Sequence, residues 1–254
     1  MFYCPYYFFR KNMGNNEVYI IDRKKGDVNG DKVEDTILLI GNKPSGTDSP
    51  FVSNIRLVIK DGKTGKGITV PLKENSGYNP TIFLGDFTGD KIKDILVSID
   101  SGGSGGFGFY YIYSFANNQL KLIFDFEKFG EEYTYEVNYK DNYRVEVISE
   151  NLKIKYIIDI TYKGKEYLNE IYDLNGKLKE PISGFVIPLS NLYPIDFERD
   201  GTYELYVFQR IAGRYNADGL GYVQTALKWE KDKFTTFFQN VGIQGKYIGD
   251  NPVT

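Results

Sequence analysis

Oxygen-bearing side chains recur at alternate positions in three short stretches of the chain. Counted from the first acid, positions 1, 3, 5 and 9 are Asp27, Asn29, Asp31 and Asp35 in the first stretch and Asp86, Thr88, Asp90 and Asp94 in the second. In the third they are Asp196, Glu198, Asp200 and Glu204. A tight turn brings alternate side chains to one side, and position 7 adds a main-chain carbonyl from Val33, Ile92 or Thr202. A calcium ion takes six to eight oxygens at about 2.3–2.6 Å from such groups, so Ca2+ is the cofactor this spacing calls for. Without a cation, several carboxylates this close repel one another. Gly30 and Gly89 stand at position 4, where a positive φ costs glycine nothing. The third stretch has Arg199 there.

The spacing does not suit the other common calcium loops. An EF-hand requires Gly at position 6 and a bidentate Glu at position 12. Here position 6 is Lys32 or Lys91, and position 12 is Leu38 or Val97. A dockerin-type loop also needs an acid at position 12 and a helix after it. The segments 36–40 and 95–99, directly after the first two loops, are β-branched and flanked by glycine, which reads as strand.

Composition removes other chemistries. The chain of 254 residues has no histidine and one cysteine, Cys4. That excludes Ser–His–Asp and Cys–His catalysis, thiolate zinc sites and an intrachain disulfide. Cys4 reads as an inert side chain. A net charge of −3 offers no basic excess for nucleic acid. No run approaches the roughly 20 apolar residues of a membrane span. Near the N-terminus positive charge comes after the apolar stretch rather than before it, so no secretory signal is expected.

The elements that would hold these oxygens are strands. Aromatic residues make up 16% of the chain, 22 of them Tyr, a bias toward β structure. Strands are predicted at 18–21, 36–40, 54–59, 68–72, 81–84, 95–99, 109–115 and 120–126. They continue at 133–139, 143–148, 156–162, 185–189, 204–211, 222–229 and 234–238, between Gly, Asn, Asp and Pro turns. One short helix is conceivable over 127–132. The Gly-rich 101–108 segment lies between strands, without the Lys-Ser/Thr ending or helix of a phosphate loop, and reads as a plain loop. The polar 209–221 stretch reads as a hairpin connection, with a binding loop as the alternative.

The acidic loop Asp-x-(Asp/Asn)-Gly-Asp-x-x-x-Asp with a strand after it resembles the FG-GAP or VCBS repeat, the integrin-like propeller unit. The resemblance covers 26–40, 84–99 and 194–211. It implies one all-β, β-propeller-like domain over 1–254, with calcium in loops between blade strands. The Phe-Gly and Gly-Ala-Pro signatures of that family are missing. The second interval between motif starts is about twice the first, so a unit without ligands is expected around 139–147. At roughly 55 residues per unit the chain would hold four or five blades.

The implied function is a non-enzymatic binding or structural module, with a protein or glycan surface as partner. The setting would be cytoplasmic, or associated with a spore or envelope. The alternative is a carbohydrate-binding or glycoside-hydrolysing protein on the same scaffold. It requires an acid pair in a cleft away from the loops, with exposed Tyr or Trp229 beside it.

Overall fold

The computed structural model describes residues 17–245; Cys4 and the N-terminal segment lie outside the described residues. The all-β expectation holds, with a strand at every predicted stretch. The strands run as four antiparallel meanders. The first is β1 (Val18–Gly26), β2 (Asp35–Asn42), β3 (Phe51–Lys60) and β4 (Gly67–Pro71). The second is β5 (Gly77–Gly85), β6 (Asp94–Asp100), β7 (Gly108–Ser114) and β8 (Lys121–Asp125). The third has only β9 (Tyr135–Lys140), β10 (Arg144–Ser149) and β11 (Ile154–Asp159). The fourth is β12 (Ser183–Ile195), β13 (Glu204–Ala212), β14 (Gly219–Glu230) and β15 (Lys233–Gly242).

Short ladders join the meanders in pairs. Phe51 and Val52 of β3 pair with Tyr78 and Gly77 of β5, and Ser183 and Gly184 of β12 pair with Asn138 and Val137 of β9. Strand pairing therefore gives one eight-stranded and one seven-stranded sheet. Four or five separate blades, which the repeat spacing predicts, are not shown by this pairing. The ligand-free unit expected around 139–147 coincides with the three-stranded third meander.

Alternation sets which faces are buried. In β2 every second residue from Asp35 is buried, so Ile37 and Leu39 enter the interior. In β6, Asp94, Ile95, Leu96 and Val97 are all buried, as expected of a strand covered on both faces. One hydrophobic cluster, with Ile37, Leu57, Phe87, Ile95 and Leu205, spans the first, second and fourth meanders. A second, with Val137, Val145, Ile158 and Ile171, fills the third and the far end of the fourth. Tyr135 packs against both.

Two seven-residue helices interrupt the strands. Helix α1 (Phe126–Glu132) lies where 127–132 was expected, and the Asp125 carboxylate accepts from Glu127 N–H at 2.9 Å to start it. Helix α2 (Lys165–Ile171) was not expected; it buries only Leu168 and Ile171, too few positions to form a helical pattern. Among the described residues no helix is long and apolar enough to cross a membrane.

Candidate metal centre

Each acidic stretch forms the hairpin between the first and second strands of a meander: β1–β2, β5–β6 and β12–β13. The third meander has an ordinary turn there, with Asn142 and Tyr143 at positive φ.

The three loops share one backbone design. Position 4 is left-handed in all of them, with φ of 84° at Gly30, 77° at Gly89 and 59° at Arg199. Position 6 is left-handed too, at Lys32, Lys91 and Gly201. These two reversals curl the chain so that its N–H groups face the acids. The Asp27 carboxylate accepts from Gly30 N–H at 2.7 Å and Lys32 N–H at 2.8 Å. Asp86 accepts from Gly89 N–H at 2.6 Å and Lys91 N–H at 2.7 Å. Asp196 accepts from Asp200 and Gly201, both at 3.0 Å. At position 5, Asp31, Asp90 and Asp200 each accept from the position 7 N–H of Val33, Ile92 and Thr202, at 2.9, 2.8 and 2.8 Å. The position 5 carboxylate thus braces the same N–H in each loop.

Position 9 is different in kind. Asp35, Asp94 and Glu204 are buried, and each accepts from the position 2 N–H of its own loop: Val28 at 3.0 Å, Phe87 at 2.9 Å and Phe197 at 2.9 Å. Asp35 also accepts from Gly62 N–H at 2.9 Å. Burial pushes the Asp94 carboxyl up to about 6, against the Phe87 N–H and Ser114 hydroxyl, and the nearby Asp90 and Asp86 charges add to the rise. Burial likewise raises Glu204, with Glu198 and Asp200 adding. A bound cation would oppose both effects.

Position 3 varies. The Asn29 carbonyl oxygen accepts from Asp31 N–H at 3.0 Å, and its amide nitrogen reaches Asp61 and Asn118 at 3.4 and 3.2 Å. The Thr88 hydroxyl oxygen is buried without a hydrogen-bond partner. Glu198 is exposed. Lys63 comes within 3.8 Å of Asp31. Among the described residues no three Asp or Glu carboxylates converge as a ready-made metal cluster. Two groups at the loops had no motif to reveal them: Asp61, which faces Asn29 from the β3–β4 turn, and Gly62, which holds Asp35.

The donor set fits calcium. Oxygens alone are offered, mixing carboxylate, amide, hydroxyl and carbonyl, and Thr88 supplies an orphaned buried oxygen at a ligand position. Asp27, Asn29, Asp31, Val33 and Asp35 would hold one ion, and Asp86, Thr88, Asp90, Ile92 and Asp94 a second. The third loop, Asp196, Glu198, Asp200, Thr202 and Glu204, repeats the bonds to positions 6, 7 and 2, but Asp200 N–H at position 5 takes the place of the position 4 N–H on the first acid.

The loops are also stacked on one another by a repeated step. Lys93 N–H, at position 8 of the second loop, donates to the position 1 carbonyl of Asp27 at 3.4 Å. Tyr203 N–H, at position 8 of the third, donates to the Asp86 carbonyl at 2.7 Å. A Cβ on Gly30 would lie 2.7 Å from Ile92 Cδ1, and one on Gly89 would face Thr202 Cγ2 at 3.8 Å, so each position 4 abuts position 7 of the next loop. A Cβ on Gly26 would meet Leu84 and Lys93 at 3.1 and 3.2 Å, and one on Gly85 would meet Tyr203 at 2.8 Å. The third loop has no fourth loop against it. There the sequence relaxes: Ile195 replaces the glycine before position 1, Arg199 replaces that at position 4, and Phe197 at position 2 is 38% exposed where Val28 and Phe87 are fully buried.

The 209–221 stretch is a hairpin connection, and a buried network holds it. The Asp218 carboxylate accepts from Lys163 Nζ at 2.8 Å, the Tyr167 hydroxyl at 2.7 Å and Arg214 N–H at 3.0 Å. Tyr139 shares a 2.8 Å hydrogen bond with Tyr167. Trp229 packs on Phe234 with ring centroids 5.0 Å apart.

Residues 113–242, from within β7 to the end of β15, match the domain family described as YybI C-terminal domain. Over 239 residues the chain is 50% identical to a Bacillus subtilis (strain 168) protein named "Uncharacterized protein YybI", covering 94% of this chain and 90% of that one. No solved structure matches.

Proposed function

The chain belongs to the YybI family, and from that premise we propose that it is a non-enzymatic, calcium-stabilised binding or structural module of the FG-GAP/VCBS kind. In this reading the four meanders are blades of a propeller-like assembly. Three of them carry calcium in the hairpin between their first and second strands, and the third meander has lost its loop. The observation that carries the reading is the threefold recurrence of one loop: two left-handed positions, a position 1 carboxylate capped by loop N–H groups, and a position 5 carboxylate that accepts from the position 7 N–H. Chance turns between strands do not repeat at this level. The buried, unpartnered Thr88 oxygen supports it further.

Calcium would cancel the repulsion among the loop acids and tie three meanders together along one rim. The partner surface would then be a protein or glycan, and a spore or envelope setting would supply the calcium. Isothermal titration with CaCl2 into chelator-treated protein, with melting curves in CaCl2 and in EDTA, tests the proposal. Binding heat and a higher Tm are expected; at a hundred times Kd a single site adds about 2.7 kcal/mol. No heat and no change in Tm would refute it.

A further inference from the structure

Away from the loops, a cavity of about 560 Å³ opens between α1 and β12, beside the seam of the two hydrophobic clusters. Its size is within the range of small-molecule sites. Phe126, Tyr133, Tyr135 and Phe185 supply aromatic walls. Gln209 lines it while only 2% exposed. A directed chain fixes the Gln209 amide: Gln239 Nε2 donates to the Tyr135 hydroxyl at 3.2 Å, and that hydroxyl donates to Gln209 Oε1 at 2.9 Å. With Oε1 taken by Tyr135, the Gln209 amide has its Nε2 donor left for a group in the cavity that the residue lines. At the mouth, Glu127 is paired with Lys73, whereas Glu131 lines the cavity, is exposed and pairs with no cation among the described residues.

We propose that this cavity binds a small arylalkylamine: a flat ring between the aromatic walls, an oxygen at its buried end accepting from Gln209 Nε2, and a protonated amine at Glu131. The aromatic walls and the free carboxylate both favour a cation next to a ring. A sugar fits less well. A polyhydroxylated ring needs donors and acceptors around its rim, and the walls of this cavity are largely aromatic and aliphatic, with Phe126, Tyr133, Tyr135, Phe185, Val186 and Pro188 among them. The acid pair Glu127 and Glu131 is likewise unsuited to glycoside hydrolysis, because Lys73 occupies one member.

Tyramine is the probe, titrated by ligand-observed NMR and calorimetry, in EDTA so that the outcome is independent of calcium. Phenethylamine, which lacks the oxygen, and 4-ethylphenol, which lacks the amine, should each bind about tenfold more weakly. Glu131→Gln, at an exposed site that does not threaten folding, should abolish the preference for tyramine over 4-ethylphenol. Gln209→Met should abolish the preference over phenethylamine. No tyramine binding at millimolar concentration, equal binding of all three compounds, or tighter binding of glucose or chitobiose would overturn the proposal.

Discussion

At the scale of single residues, the acids of the loops divide into two jobs. Position 9 carboxylates are buried acceptors for the position 2 N–H, and they hold the hairpin with or without a metal. Asp94→Ala should therefore cost about 1–3 kcal/mol even in EDTA, read by urea unfolding, because Phe87 N–H is left without an acceptor. Asp90 is exposed, and Asn in its place still offers an oxygen to Ile92 N–H. Asp90→Asn should leave the unfolding curve in EDTA unchanged and weaken calcium binding about tenfold or more by calorimetry. Asp218 gives the pH dependence. Burial raises its pKa, but the Lys163 ammonium, the Tyr167 hydroxyl and Arg214 N–H outweigh it, and the net shift is downward. A lowered folded pKa means stability that is present above the unfolded value of about 3.9 and lost as pH falls through the folded one. Asp218→Asn should flatten the acid side of a Tm-against-pH curve, and at neutral pH it should cost about 2–3 kcal/mol because the largely buried Lys163 loses its charge partner. The loop design was legible in the sequence because the same residue types recur at the same spacing in three stretches, each within one hairpin. Asp61, Gly62 and Gln209 were not, because each acts on a group brought to it by another part of the fold.

At the scale of the loop, the glycines report the neighbour rather than the turn alone. Positions 4 and 6 are both left-handed, yet Arg199 and Lys32 tolerate it. What Gly30 has besides φ is Ile92 pressed against it. Gly30→Ala should cost at least the 1–2 kcal/mol of a left-handed non-glycine residue, plus displacement of Ile92. Arg199→Gly, with no loop beside it, should leave stability within about 1 kcal/mol of the parent by the same measurement. Stacking also ties the loops together. The N–H of Lys93 and of Tyr203 each reach across to the preceding loop, so ordering one loop positions its neighbour. Calcium titration should be positively cooperative, and Asp90→Asn should weaken uptake by the first loop too; independent identical sites would count against coupling.

At the scale of the whole molecule, the stacked loops join the first, second and fourth meanders, whereas the third has an ordinary turn and shares the second cluster with the far end of the fourth. Hydrogen exchange with and without calcium should therefore divide the chain. Protection should rise in β1–β2, β5–β6 and β12–β13 and stay level in β9–β11. Uniform protection would mean that the ion acts through global stability alone.

Sequence alone determined the strands and the loop design. Period-two burial and turn residues act over a few neighbours, and the acids within one hairpin are neighbours in the chain. Helix α2 was illegible because two buried side chains do not make a periodic pattern. Only the tertiary structure decided that the strands pair into two sheets, that the second and third loops are adjacent although the β9–β11 meander lies between them in sequence, and that Arg199 is tolerated at the open end of the stack. Those contacts join residues distant along the chain, and no local pattern records which meander comes to lie beside which.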